Sequence, residues 1–251
     1  MRSLTLKVFH ELPDGLKLFL RSFKKTEQEL EILDRFVNKG DLVVDIGANK
    51  GAYTYRLARL VGSHGRVEAF EPIQELADHL VDASRQLRLP VVVHSCCLSD
   101  KDGMAQLSIP LNGEERQYGL ASLEDRGSFA MEVQQVPVNT LDQMLSGRQQ
   151  PVSFIKCDVE GHELAVFRGA LNVLKSDRPT LLVEIEQRHL KDSIIEHFDF
   201  FDRLGYSGYY LGSDNELKPV RGISVAKLKS GLLDDDCYIN NFMFLPDASL
   251  A

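Results

Sequence analysis

The stretch Val43-Val44-Asp45-Ile46-Gly47-Ala48-Asn49-Lys50-Gly51 decides how this chain is read. Leu42-Val43-Val44 is apolar without alternation, the pattern of a strand buried on both faces of a parallel sheet. It ends in an acid and a glycine turn and feeds a helical period from about Ala52 to Val61. Gly47 and Gly51 let backbone approach a ligand closely at the amino end of that helix, where unpaired N–H groups collect. Several nucleotide-binding folds share such a turn.

The same strand-then-helix unit recurs downstream. Arg66–Phe70 reads as a second strand, followed by a helix with Leu76, Leu80, Ala83 and Leu87 on one face, and 90–94 reads as a third strand. Between Met104 and Thr140 the rhythm breaks: 105–109 and 133–138 read as strands joined by a polar, Gly-containing loop, which predicts an antiparallel insertion. Alternation resumes with strand four at 153–157, then a helix carrying Leu164, Phe167, Leu171 and Leu174 on one face, and strand five at 180–185. A helix over 193–204 and late strands over 206–211 and 238–245 complete the pattern. Upstream, Leu16, Phe19, Leu20 and Phe23 have helical spacing, and Thr26 with Glu29 forms a capping box for a second helix.

Strands alternating with helices predict an α/β, Rossmann-like fold: a mostly parallel sheet with right-handed crossovers and helices on both faces. No linker or repeat interrupts the pattern. One domain over 1–251 is expected, with an N-terminal helical cap at 1–40 and a catalytic core at 41–246.

A formal net charge of −8 argues against a nucleic-acid partner, since phosphate neutralisation needs clustered Lys and Arg. Cys96, Cys97, Cys157 and Cys237 include no C-x-x-C pair and read as small buried residues of a reduced, cytoplasmic protein. The N-terminal apolar stretches are broken by Lys7, His10, Asp14, Lys17 and Arg21, which fits neither a signal peptide nor a membrane span. The basic face Lys17, Arg21, Lys24 and Lys25 either accompanies a helix covering the sheet edge or approaches an anionic membrane peripherally.

Ligands of open α/β sheets bind beyond the carboxyl ends of the strands. A dinucleotide turn wants G-x-G-x-x-G to seat a pyrophosphate, whereas here the glycines stand four apart with Asn49 between and Asp45 two residues before the first. S-adenosylmethionine carries an ammonium and a sulfonium and no pyrophosphate, so an acid at the strand end suits it better than NAD. Glu71, at the end of the second strand, can accept hydrogen bonds from both ribose hydroxyls, a role that also serves NAD. Leu98-Ser99-Asp100 after strand three is placed to contact adenine; a turn-forming Ser-Asp is the equal alternative.

Several blocks in order resemble the FkbM family of methyltransferases. They are Asp45-Ile46-Gly47-Ala48-Asn49-Lys50-Gly51-Ala52-Tyr53-Thr54, Phe70-Glu71-Pro72, Asn139-Thr140-Leu141-Asp142, Ile155-Lys156-Cys157-Asp158-Val159-Glu160-Gly161-His162-Glu163, Val183-Glu184-Ile185-Glu186 and Asn241-Phe242-Met243-Phe244-Leu245-Pro246. The resemblance covers about Glu29 to Pro246. Cys157 departs from it, standing where the family more often has an aliphatic residue. It implies a class I methyltransferase fold, S-adenosylmethionine as donor, and transfer to oxygen, often a hydroxyl of a sugar or a glycosylated natural product. The candidate donor-binding residues are then Asp45, Gly47, Asn49, Gly51, Tyr53, Thr54, Glu71, Pro72, Leu98, Ser99 and Asp158.

Methyl transfer to an alcohol aligns oxygen, methyl carbon and sulfur in line and removes the hydroxyl proton. The candidate catalytic residues are Asp158, Glu160, His162 and Glu184, with Glu186 and His189 as further possible bases. Asp158 also reads as a helix-cap acid, Glu160 as an acid complementing a helix amino end, and His162 as an exposed first-turn histidine. Strand alternation puts Glu184 and Glu186 on one face, where either could bind acceptor hydroxyls. Together with Asp158 and Glu160 they make a divalent cation such as Mg²⁺ conceivable, though nothing in the spacing requires it. Asp234-Asp235-Asp236 reads as a solvated loop. The competing readings keep the donor with a lipid, protein or non-sugar acceptor, or make the chain a nucleotide-dependent oxidoreductase or a non-catalytic ligand-binding protein.

Overall fold

In the computed structural model, β1 (Leu42–Ile46) is buried along its whole length. The structure describes residues 29–113, 115–124, 130–234 and 237–247. The predicted first amphipathic helix with its basic face, the Thr26 cap, and Asp235 and Asp236 of the acidic run lie outside them.

Side chains of β1 alternate between two cores: Leu42, Val44 and Ile46 enter one cluster with Phe167 and Phe201, and Val43 enters the other with Leu57, Val61 and Val67. Burial on both faces is why the strand shows no alternation in sequence. Each such side chain contributes about 1.5–3 kcal/mol. β1 is longer than its apolar run, because Asp45 and Ile46 keep register with both neighbouring strands.

Before it stands the short α1 (Glu29–Ile32). After it come α2 (Ala52–Val61), β2 (Arg66–Phe70), α3 (Gln74–Leu87) and β3 (Val91–His94), as the periodicity predicts. The predicted antiparallel insertion is there and is larger than expected. It comprises β4 (Cys97–Leu98), β5 (Gly103–Asn112), β6 (Glu115–Arg116) and β7 (Met131–Asn139), a sheet of order β4-β7-β5-β6. Leu107, Ile109, Val136 and Val138 form its buried face against Ile73 and Leu76.

The main chain returns through α4 (Leu141–Met144), whose Thr140 and Gln143 make a capping box. It continues through β8 (Val152–Cys157), α5 (Glu163–Arg168), α6 (Leu171–Ser176), β9 (Thr180–Glu184), α7 (Ile195–Arg203), β10 (Tyr206–Leu211), β11 (Leu217–Pro219), α8 (Val225–Ser230), β12 (Leu232–Asp234), β13 (Cys237–Tyr238) and β14 (Asn241–Pro246). The eight-stranded sheet has order β11-β10-β14-β9-β8-β1-β2-β3. From β9 to β3 its strands are parallel, whereas β14 lies antiparallel between β9 and β10.

Two expectations are corrected. The single helix expected through Leu164 and Leu174 is broken into α5 and α6 at Gly169, where a Cβ would lie 2.0 Å from the Ser99 carbonyl oxygen. A close crossing of two backbones therefore interrupts a pattern that reads as continuous. The last strand begins at Asn241, because Cys237–Tyr238 turns away to pair with β12. Among the described residues no helix is long and apolar enough to cross a membrane.

Candidate active site

The carboxyl ends of β1, β2, β8 and β9 share one edge of the sheet. Beyond Ile46 the chain passes through Gly47 at φ +77°, where a Cβ would sit 1.9 Å from the Asp158 carbonyl oxygen. The loops after β1 and β8 thus meet backbone to backbone, which only a glycine allows. The Gly47 and Ala48 amides both donate to the Phe70 carbonyl at 3.0 Å, tying the first turn to the end of β2. Asn49 takes a left-handed conformation, φ 48°, which Asn tolerates better than most residues. Its amide donates to Glu71 Oε2 at 2.7 Å, and the Ile73 amide donates to Glu71 Oε1 at 2.9 Å. One carboxylate therefore fixes both turns. Burial pushes the Glu71 carboxyl up to about 7, against the pull of those amides, and Asp45 nearby adds to the rise.

Between these turns, the loop after β8 and the insertion lies a cleft with about 630 Å³ between its walls, including the open mouth. Of the residues singled out in sequence, Gly47, Asn49, Glu71, Pro72, Leu98, Asp158, Glu160 and His162 line it together. Phe70, Ile73, Cys97 and Leu107 supply an apolar wall beside Glu71, and 118–119 and 121–123 of the insertion cover the opposite side.

The remaining candidates stand outside that wall. Asp45 is 1% exposed and accepts from Thr54 Oγ1 at 2.5 Å, so it faces inward rather than toward a ligand cation. Burial raises its carboxyl to about 6 despite the Thr54 bond and the nearby Lys156 charge. Gly51 packs against Leu80 and Tyr55. The Tyr53 ring lies 4.9 Å from Lys156 Nζ. Ser99 is buried, and Glu184 stands behind Asp158. None of these remaining candidates is part of the cleft lining.

On the β8 and β9 side, Asp158 and Glu184 are hydrogen-bonded to one another, which requires a shared proton. Burial raises both carboxyls, Glu184 to about 8 with the Asp158 charge adding to it. Lys156 is 1% exposed, donates to Asn241 Oδ1 at 3.0 Å and lies 3.9 Å from Glu184, a buried cation that favours the Asp158 carboxylate. Asn240 Nδ2 donates to Glu184 at 2.6 Å and to Glu186 at 2.8 Å, so these two acids do share a face. His189 Nδ1 meets Glu160 at 2.7 Å, and Arg188 pairs with Glu186. Glu160 holds φ 58°, a costly conformation for a residue with a side chain, and its carbonyl accepts from Ser122 Oγ at 2.8 Å. Glu163 is buried and accepts from the Gly161 amide at 2.9 Å.

The idea of a divalent cation is not supported. Among the described residues no group of three His, Cys, Asp or Glu is gathered to hold a metal ion. The acids after β8 and β9 are distributed instead over Lys156, Asn240, His189 and Arg188.

His162 has both ring nitrogens engaged, Nε2 with Ser99 Oγ at 2.9 Å and Nδ1 with Glu124 Oε1 at 2.9 Å, so it is no longer the free base considered from sequence. Glu124 also pairs with Lys191 at 2.7 Å. Lys156, Asn240 and Glu124 went unrecognised in sequence. For Lys156 a signal exists: a lone cation inside an apolar parallel strand needs a buried partner.

Comparison with known proteins agrees with this geometry. A family model described as a methyltransferase FkbM domain matches residues 45–207. The hexuronic acid methyltransferase AglP of Haloferax volcanii is 26% identical over 160 residues, 62% of this chain and 61% of its own length. The chain thus spans less than two thirds of that relative. Among solved structures, the methyltransferase FkbM from Methylobacillus flagellatus superposes with a TM-score of 0.52 at 16% identity, over 84% of this chain and 44% of that one. A putative rRNA-methylase from Clostridium thermocellum gives 0.51 at 13% identity, over 88% of this chain and 94% of that one. At such identities the structural likeness speaks for the fold alone, that of class I methyltransferases.

Proposed function

The chain belongs to the FkbM family of methyltransferases, and on that premise we propose that it is an S-adenosylmethionine-dependent O-methyltransferase acting on a hydroxyl of a sugar or glycoconjugate. The observation that carries the donor is Glu71. It stands in the cleft wall at the end of β2 with one backbone amide on each oxygen, and its remaining lone pairs suit two vicinal ribose hydroxyls. The apolar wall of Phe70, Ile73, Cys97 and Leu98 beside it has the character an adenine ring needs. A sugar acceptor is supported by the hexuronic acid methyltransferase among the relatives.

When bound, the donor supplies an electrophilic methyl group on a sulfonium sulfur. Asp158 lines the cleft beside Glu184, with the buried Lys156 charge favouring its carboxylate, and we assign it as the proton acceptor of the pair. It takes the proton of the acceptor hydroxyl as the oxygen–carbon bond forms and the carbon–sulfur bond breaks, leaving a neutral thioether. Glu184 positions Asp158 and keeps the pair at one net charge.

Calorimetric titration with S-adenosylmethionine, S-adenosylhomocysteine and NAD tests the donor. Both sulfur compounds should bind and NAD should not, and Glu71→Ala should weaken S-adenosylhomocysteine binding about 10- to 100-fold, the worth of hydrogen bonds to a charged group. NAD binding without a response to the sulfur compounds would overturn the reading. Incubation with labelled donor and a glycan fraction, followed by mass spectrometry, tests the acceptor; label recovered only in lipid or protein would replace the sugar.

A further inference from the structure

The insertion that covers the cleft is joined to the donor side through one imidazole. A carboxylate only accepts, so His162 Nδ1 carries a proton and donates it to Glu124, while Nε2 meets the Ser99 hydroxyl, whose oxygen also lies 3.3 Å from Asp100 Oδ1 as a donor. The chain of contacts therefore runs from the loop after β4 through His162 on the loop after β8 to Glu124 of the insertion, and on to Lys191 beyond β9. A serine, a histidine and an acid in this order have the geometry of a nucleophilic relay. Ser99 does not line the cleft, however, and its backbone is pressed against Gly169, so the hydroxyl has no reacting atom in reach.

What the relay does touch is position. Ser99 follows Leu98, which lines the apolar wall, and Glu124 follows Leu123, which lines the cover. The covering loop is held at two further points: Ser122 pairs with Ser108 through both backbone groups, and Ser122 Oγ donates to Glu160 O. The His162 ring is the side-chain link between the Leu98 loop and Glu124, beside the backbone path that runs through β7 and β5 to the Ser108–Ser122 pair.

We propose that His162 is a positioning residue that couples occupancy of the donor cleft to ordering of the insertion loop 118–124 over it, so that the acceptor meets a closed cleft only after the donor is seated. The proposal rests on the donor assignment above. Its logic is that two hydrogen bonds in series transmit restraint, and removal of either breaks the series without emptying the cleft.

Hydrogen exchange of the whole chain, with and without S-adenosylhomocysteine, tests it. In the wild type the ligand should slow exchange of the peptide spanning 118–124 by about tenfold, which corresponds to roughly 1.4 kcal/mol of added protection. Glu124→Ala should bind the ligand with near wild-type affinity and lose the slowing, and Glu124→Gln, whose amide oxygen still accepts from Nδ1–H, should restore it. His162→Ala should lose the slowing together with part of the affinity. Equal slowing in Glu124→Ala, or none in the wild type with ligand bound, overturns the coupling. Failure of the wild type to bind S-adenosylhomocysteine overturns the donor reading and the coupling with it.

Discussion

The loops after β1 and β2 and the loops after β8 and β9 stand at the same edge of one sheet and are built by different means. The first pair is set by backbone: Gly47 in contact with the Asp158 carbonyl, Asn49 in a left-handed conformation, and Glu71 fixed by two main-chain amides. The second pair is set by side chains that meet from far apart in sequence, Asp158 with Glu184, Glu184 with Asn240, Glu160 with His189 and His162 with Glu124. A backbone-built site holds a constant ligand, and a side-chain-built site can be retuned without disturbing the fold. This division suits a donor shared across a family and an acceptor that differs within it.

The largest expected break of this contrast is Asp158→Asn. The substitution keeps the size and one acceptor of the side chain but removes the charge that takes the proton. Turnover of labelled donor should fall about 1000-fold, within the range for loss of a general base. Donor binding by calorimetry should stay near wild type, because Glu71 is on the other side of the cleft. Full turnover in the variant would remove Asp158 from the chemistry and shift attention to Glu160.

Gly47→Ala breaks the backbone side. A methyl 1.9 Å from a carbonyl oxygen, at φ +77°, forces the loops after β1 and β8 apart. The expected loss is about 3 kcal/mol of stability, measured by urea unfolding, from steric and left-handed strain together. The same substitution at Gly113, where φ is +64° but nothing lies within 4 Å, should cost about 1 kcal/mol, since only the conformational penalty remains. Equal losses at the two positions would show that the close approach is not what Gly47 provides.

Legibility in sequence follows the same division. β1, α2, β2 and the glycine turn were readable because burial on both faces and helical period leave residue-type patterns within a few positions. Glu71 was readable because an acid closing a strand in this fold has few uses. The break at Gly169 was not, since Leu164, Phe167, Leu171 and Leu174 keep helical spacing across it and only Ser99, seventy residues upstream, explains it. Asp45 reads as a strand-end partner for a ligand cation because its sequence neighbourhood is identical either way; Thr54 and Lys156, which claim it, are known only from the fold. His162 was read as a free base for the same reason, with Ser99 and Glu124 out of view.

A smaller effect than that at Gly47 is expected in the pH dependence of stability, where the buried carboxyls at the sheet edge and Glu124 of the insertion differ in sign. Asp45, Glu71 and Glu184 have carboxyls raised by burial, to about 6, about 7 and about 8. In the unliganded protein they bind protons that the unfolded chain has lost. Their contribution is therefore complete below the unfolded values near 4 and is lost as pH rises through the folded values. Glu124, in contrast, is raised by burial but lowered more strongly by Lys191 and His162, so its contribution is present at neutral pH and lost as pH falls. The ligand-free chain should thus lose thermal stability between pH 5 and pH 8. Glu71→Gln should flatten that decline by on the order of 2 kcal/mol, or about 5 °C in Tm for a chain of this size. Glu124→Gln should lower stability evenly across neutral and alkaline pH, leaving the slope there as it is, and change nothing at the acid end, where the contribution is already lost. A wild-type Tm that rises from pH 5 to pH 8 would mean that these carboxyls are ionised in the folded state, and that the amides on Glu71 and the Thr54 bond to Asp45 outweigh their burial.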